Sequence, residues 1–268
     1  MKWLCFLCLV VLTLAVVAVV AAMVAYMSPA GHWRALAAPE TLFALRFTLL
    51  TSVTATALAM LLGIPAAYFM ARRAFHGKAF LDTLLDLPLV MPPLVTGVGL
   101  LLFLGSSRVS EATAALGLRV IFTPLGVVMA QAFVAGFIVL RGAKAAFDAI
   151  DSDYEAAALT MGLEPWLVFW RVSLPMAARG LISTVVLAWA RAMGEFGATL
   201  MVAGATRFKT ETLPIAVYLN MSSGEPGLAI SSGLVLMALG FASLGLLRWF
   251  TAWAAWSPNG KEGAHGHP

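Results

Sequence analysis

The chain has 268 residues, 61% of them hydrophobic and 11% charged, with a formal net charge of +4 and a mean hydropathy of +0.92. Soluble domains carry roughly 25% charged residues, so this composition excludes an ordinary globular protein and points to an integral membrane one. The positive charge is dispersed, with no basic block interleaved with aromatics, which argues against nucleic acid as a partner.

Apolar runs of about 20 residues, the length that crosses a hydrocarbon layer ~30 Å thick, recur at residues 3–27, 42–71, 84–104, 124–140, 177–203 and 228–250. No alternating ten-residue strand pattern appears, so the expected fold is an all-α integral membrane protein with six transmembrane helices in one domain, residues 1–268. The first run is too long for a signal-peptide core and reads as a retained span. Cys5 and Cys8 have C-x-x-C spacing, but an apolar span is a poor setting for thiolate chemistry. Residues 28–40 form a short polar connection. The second span carries Thr48, Thr51, Ser52, Thr54 and Thr56, whose hydroxyls can bond within the helix or across to a neighbour. Gly63-Ile64-Pro65 marks a candidate kink near its end, before a turn with Arg72, Arg73 and Lys78.

The third span holds Pro88, Pro92, Pro93, Gly97 and Gly99. Backbone groups freed by so many breakers need partners, so this span belongs at a helix interface or along a watery path rather than against lipid. Pro92, Pro93 and Thr96 are therefore candidate pathway residues. Loops are expected at residues 105–123 and 204–227, and a polar, disordered tail at 257–268, where His265 and His267 are poor candidates for metal capture. Six spans place both termini on one side. Ten Lys and Arg (2, 72, 73, 78, 141, 144, 171, 179, 248 and 261) then share the side of the termini, against five (34, 108, 119, 207 and 209) opposite, which puts both termini in the cytoplasm.

The segment 141–175 stands apart. Ser152 and Glu155 have the S-x-x-E spacing of a capping box, in which each side chain satisfies an orphan backbone N–H. Glu155-Ala156-Ala157-Ala158-Leu159 favours helix, Gly162 can close it in a left-handed conformation, and Pro165 stops its continuation. This pattern, with Val172-Ser173-Leu174-Pro175 following nine residues after Gly162, resembles the EAA loop of importer-type ABC-transporter permeases. Glu155 lies seven residues before Gly162, one more than the commonest form of the motif. Either Glu155 keeps the role in a shifted register, or Ala156 stands at the usual Glu position.

In the fifth span, Arg191 and Glu195 are four residues apart and share a helix face. Such charges cost ~2.5–3.5 kcal/mol at mid-helix, so the pair either faces a cavity or gate or welds two helices together. The surrounding R-A-M-G-E-F-G-A-T-L-M-V-A-G run, with Lys209-Thr-Glu-Thr-Leu-Pro214 beyond it, resembles the signature of molybdate permeases and their tungstate and sulfate relatives. The stretches Phe122-Thr-Pro-Leu-Gly126 and Leu87-Pro-Leu-Val-Met-Pro-Pro93 are similar to others in that group, and Phe196 looks more like the molybdate and tungstate branch.

The resemblance implies an inner-membrane permease subunit that pairs with a second copy of itself around one pathway. It implies an ATP-binding subunit beneath each copy and an extracytoplasmic solute-binding protein above. Glu155, Ala156, Ala157, Ala158, Gly162, Leu174 and Pro175 would form the coupling element that seats in the ATPase. Arg191, Glu195, Phe196, Gly197, Thr199, Pro92, Pro93 and Thr96 would be pathway candidates. ATP and Mg would be bound by the partner ATPase, with no cofactor or metal in this chain; no phosphate-binding G-x-x-x-x-G-K-[ST] loop occurs in the sequence.

Two rival classes fit less well. Membrane-enzyme motifs H-E-x-x-H and G-x-S-x-G are missing, and Asp82 and Asp86 sit at one edge rather than on facing helices. A secondary transporter using Glu195 as a proton carrier would leave the EAA-like loop unexplained and lacks an internal repeat. Within the permease class, sulfate or thiosulfate is the alternative cargo.

Overall fold

A computed structural model describes residues 1–256; the expected disordered tail lies outside the described residues. The elements in chain order are α1 (Lys2–Ala25), α2 (Pro29–Leu36), α3 (Pro39–Arg72), α4 (Lys78–Val90), α5 (Pro93–Leu104), α6 (Ser107–Ala115), α7 (Pro124–Asp148), α8 (Asp153–Thr160), α9 (Pro165–Val168), a π-helical turn (Phe169–Ser173), α10 (Leu174–Met193), α11 (Gly197–Ala203), α12 (Leu213–Ser222) and α13 (Pro226–Trp256). Five of these stretches are long and apolar enough to cross a membrane, and six if the bent pair α4–α5 counts as one span.

Several boundaries differ from the sequence expectation. The third span is not one helix: α4 and α5 meet at Met91-Pro92 with a bend of 112°. Pro93 opens α5 at a position where its missing N–H costs nothing. The fifth span begins earlier than residue 177, since α9, the π turn and α10 form one apolar stretch over Pro165–Met193, and it breaks at Gly194 before α11. Pro65, by contrast, lies inside an unbroken α3. The three expected loops hold the short helices α2, α6 and α12.

One compact unit comprises, among the described residues, 49–204 and 239–256. Its core is rich in alanines that let backbones approach: Ala59, Ala135, Ala188 and Ala192 with Val139 in one cluster, and Ala67, Ala143 and Ala177 around the larger Phe147 and Leu181 in another. The sequence hydroxyls serve both roles open to them. Thr56 bonds back to Ser52 O at 2.7 Å, while Ser52 Oγ accepts the indole N–H of Trp189 at 3.0 Å. A Cβ on Gly97 of α5 would lie 2.7 Å from the Ala198 Cα of α11, and one on Gly197 would lie 2.9 Å from the Leu94 nitrogen, so the two short helices cross backbone against backbone.

The other unit comprises residues 1–48 and 205–238. α1 is apolar all round with no buried residue, as befits a helix surrounded by lipid or by another chain. Arg207 anchors the segment leading into α12, donating to Asn220 Oδ1 at 3.0 Å and lying 3.7 Å from Glu225. Leu213 N–H, an orphan donor of the first turn of α12, is met by Thr48 Oγ1 at 2.8 Å.

Glu211 in that segment is fully buried and accepts the Phe208 N–H at 2.9 Å on one oxygen. Burial pushes its carboxyl above the usual range, opposed by the Phe208 N–H and the Arg207 charge and reinforced by Glu40. A raised acid pKa in the folded state means stability is greatest while the carboxyl is neutral and falls as pH rises through the shifted value. Glu211→Gln keeps an acceptor for Phe208 and removes that loss. Its melting temperature in detergent is expected to match the parent near about pH 4 and exceed it increasingly toward about pH 8. An equal difference at both pH values would contradict this account.

Candidate functional site

Two clusters carry the sequence-nominated residues. The first is built around α8. Its start is not the expected capping box: the Ser152 side chain makes no capping bond, and Asp151 Oδ1 accepts the Asp153 N–H at 3.0 Å instead. Glu155 is committed elsewhere. Its Oε1 accepts from Arg72 Nε at 2.8 Å and from Ser173 Oγ at 2.7 Å, and its Oε2 accepts from Tyr68 OH at 3.1 Å. Arg72 belongs to the last turn of α3, and its Nη2 also donates to Ile150 O at 3.2 Å.

This settles which residue of the Glu-Ala-Ala run turns inward. Glu155 and Ala158 are buried, and Ala156 and Ala157 are exposed. Gly162 closes the helix at φ +88°, a conformation that side chains strain to adopt, with Leu163 N–H donating to Ala158 O at 3.2 Å in the Schellman pattern. Leu174 and Pro175 sit in the first turn of α10, directly after the π turn. Outward, the same segment presents Tyr154, Leu159, Met161, Trp166 and Trp170, all more than two-fifths exposed. Sequence reasoning had not singled these out; Tyr154, Leu159 and Met161 lie in the short polar segment before Pro165, while Trp166 and Trp170 begin the apolar stretch Pro165–Met193.

The second cluster lies where the two broken spans meet. Arg191, in the last turn of α10, brings Nη1 within 2.6 Å of Glu195 Oε2, in an ion-pair contact directed off the line of a hydrogen bond. Glu195 lies just past the helix end, wholly buried, and its Oε1 accepts the Ala198 N–H at 2.9 Å, capping α11. The Arg191 side chain is 38% exposed. Phe196 is the N-cap of α11, Gly197 rests on Pro93 and Leu94, and the Thr199 hydroxyl is buried with no partner among the described residues. Pro92 is the N-cap of α5, and Thr96 donates to Pro92 O at 3.3 Å. The structure thus brings both sets of pathway candidates to one helix crossing. Beside it, α3, α5 and α7 enclose an open groove of about 770 Å³ lined almost wholly by apolar side chains such as Leu62, Phe103 and Phe133. Among the described residues no group of His, Cys, Asp and Glu is arranged to hold a metal.

A profile of the family described as binding-protein-dependent transport system inner membrane component matches residues 59–255. The chain is 36% identical over 208 residues to the molybdenum transport system permease protein ModB of Mycobacterium bovis, covering 77% of this chain and 78% of that one. It is 39% identical over 187 residues to the putative molybdenum transport system permease protein YvgM of Bacillus subtilis (69% and 82% covered). It is 33% identical over 225 residues to the sulfate transport system permease protein CysT of Escherichia coli (84% and 80% covered). Among solved structures, it resembles a chain of a bacterial alginate ABC transporter in complex with an alginate pentasaccharide-bound periplasmic protein, at TM-score 0.69 and 14% identity over 97% of this chain and 96% of that one. It also resembles a chain of the MetNI methionine ABC transporter at TM-score 0.59 and 14% identity over 83% and 98%. The last two likenesses concern the fold.

The ion pair at the crossing makes a checkable claim. Arg191→Gln leaves a buried carboxylate without its counter-charge and is expected to cost about 3 kcal/mol, the low end for breaking a buried pair because the guanidinium is partly exposed. Adding Glu195→Gln, which keeps the acceptor for Ala198, is expected to recover most of that loss in a double-mutant cycle. Equal destabilisation in the single and double variants would show that the charges are not paired energetically.

Proposed function

Because the chain belongs to the family of binding-protein-dependent transport system inner membrane components, we propose that it forms the pathway of an ATP-driven importer whose cargo is molybdate or tungstate. The cargo assignment rests on relatives named for molybdenum transport at 36% and 39% identity, together with Phe196 in the G-E-F-G context. Sulfate is the second reading, favoured by the 33% identity to a sulfate permease over 84% of the chain.

The observation that carries the coupling half of the proposal is α8: a short helix that turns its one glutamate inward and exposes Tyr154, Leu159 and, at its C-cap, Met161. Exposed Tyr and Met side chains on a polar segment are typical of a docking surface. An ATP-binding subunit seated there would move α8 when nucleotide closes it, and the helices joined to α8 would open the pathway by rigid-body motion. ATP and Mg then belong to that partner. A second copy of this chain completes the pathway, both termini lie in the cytoplasm, and a solute-binding protein delivers the anion from outside. Selectivity rests mainly with that protein, because a pathway that held the ion tightly would not release it.

The direct test is uptake of molybdate, tungstate and sulfate into vesicles holding this chain, its ATP-binding subunit and its binding protein. Molybdate or tungstate uptake that requires ATP is expected; uptake driven by a proton gradient without ATP would sink the proposal. Gly162→Pro, which cannot adopt φ +88°, is expected to abolish uptake while the chain still inserts. Met161→Glu on the outward face is expected to weaken co-purification of the ATP-binding subunit.

A further inference from the structure

The glutamate of the loop is committed within its own chain. Glu155 is 8% exposed, and its carboxylate already takes three side-chain donors from two other elements. Those donors are instructive in where they come from. Tyr68 and Arg72 lie one turn apart at the end of α3, and Ser173 closes the π turn that opens into α10. Arg72 also holds Ile150 O, just beyond α7. The Tyr68 ring packs edge-on against Phe147 of α7 at 5.3 Å and Phe169 of the π turn at 4.8 Å. Around one carboxylate, then, the ends of three membrane helices and α8 are fastened together.

We propose that Glu155 is an internal clamp rather than a contact with the ATP-binding subunit, and that Arg72, Tyr68 and Ser173 are the positioning residues that convert displacement of α8 into movement of α3 and α10. The inference rests on the function proposed above, since it needs α8 to be the element a partner displaces. A charged, multiply hydrogen-bonded joint suits this task. It is stiff in direction where apolar contacts slide, and Arg can hold a carboxylate and a carbonyl at once through its fixed fork of donors. The π turn places Ser173 at the joint: its hydroxyl also lies 3.5 Å from Val168 O, five residues back, so the widened turn and the clamp share one side chain.

The prediction separates docking from transmission. In vesicles holding the full transporter, oxyanion uptake and ATP hydrolysis are measured together, and the ATP-binding subunit retained on purification is quantified. Arg72→Gln is expected to retain that subunit and continue hydrolysis while uptake per ATP falls about tenfold. Arg72→Lys is expected to recover part of the ratio. Exchanging the charges, Arg72→Glu with Glu155→Arg, is expected to outperform either single change. Ser173→Ala, which leaves the ion pair intact, is expected to lower the ratio less and serves if Arg72→Gln does not fold. Loss of the ATP-binding subunit in proportion to uptake, or an unchanged ratio in both Arg72→Gln and Ser173→Ala, would overturn the clamp. Failure of the unaltered chain to retain an ATP-binding subunit would instead overturn the function on which it rests.

Discussion

A carboxylate taken out of water must be met by donors, and how Glu155 meets that demand determines where α8 can sit. One oxygen takes an Arg and a Ser, the other a Tyr, and none of these comes from α8 itself. Removing any one leaves a charged group buried with fewer partners, which costs more than the bond contributes when present. The position of α8 is therefore tied to the end of α3 and to the π turn. The aromatic contacts among Tyr68, Phe147 and Phe169 exclude water from the same point and strengthen the electrostatics there. The nearby network of Arg141 and Lys144 with Asp82, Asp86 and Asp148 is more exposed, and by the same reasoning holds α4 to α7 more loosely.

The rule that buried polar groups need partners also governs the broken spans. Ending α4 at Val90 and α10 at Met193 frees backbone groups at breaks in apolar stretches of span-forming length. The chain answers with two devices. Glu195 reaches forward to the Ala198 N–H, doing for α11 what a Ser or Asp does for a helix in water. Gly97 and Gly197 remove the side chains that would hold the two short helices apart, so each covers the other's exposed backbone. The breakers of the third span and the charged pair of the fifth are thus parts of one arrangement, though they are about a hundred residues apart in sequence.

Periodicity and composition made the spans legible, because hydrophobic length is a property of each segment alone. The end of α8 was legible too, since a positive φ followed by a proline leaves a glycine little choice. What stayed hidden was every feature that depends on a distant partner. Ser152 and Glu155 have capping-box spacing, yet Arg72, over eighty residues away, offers the carboxylate a full charge where the backbone offers only an N–H. The π turn at Phe169–Ser173 left no local mark in the sequence, and Ser173, which ends it, has its bond partner Glu155 eighteen residues away. The 112° bend at Met91-Pro92 was foreshadowed by Pro92-Pro93, but the close crossing of α5 with α11 that accompanies it was not. The motif drew attention to Glu155, but the direction its side chain takes, into Arg72, Tyr68 and Ser173, required the fold.

The charge balance at the crossing bears on how an anion would pass. On the proposed function, a bare Arg in a low-dielectric setting would bind a doubly charged oxyanion tightly and stall it. Glu195 prevents this: it lies wholly buried at 2.6 Å from Arg191, so the pair presents a dipole rather than a net charge, with the guanidinium as its exposed end. Such a dipole attracts an anion over a short range and lets it go, which is what transit demands. The apolar lining of the adjoining groove points the same way, because leucine and phenylalanine walls offer a hydrated oxyanion no place to rest. The groove is therefore a poor resting place for an anion, and on the proposed function the partly exposed Arg191, where the broken helices meet, would offer the ion only a fleeting contact.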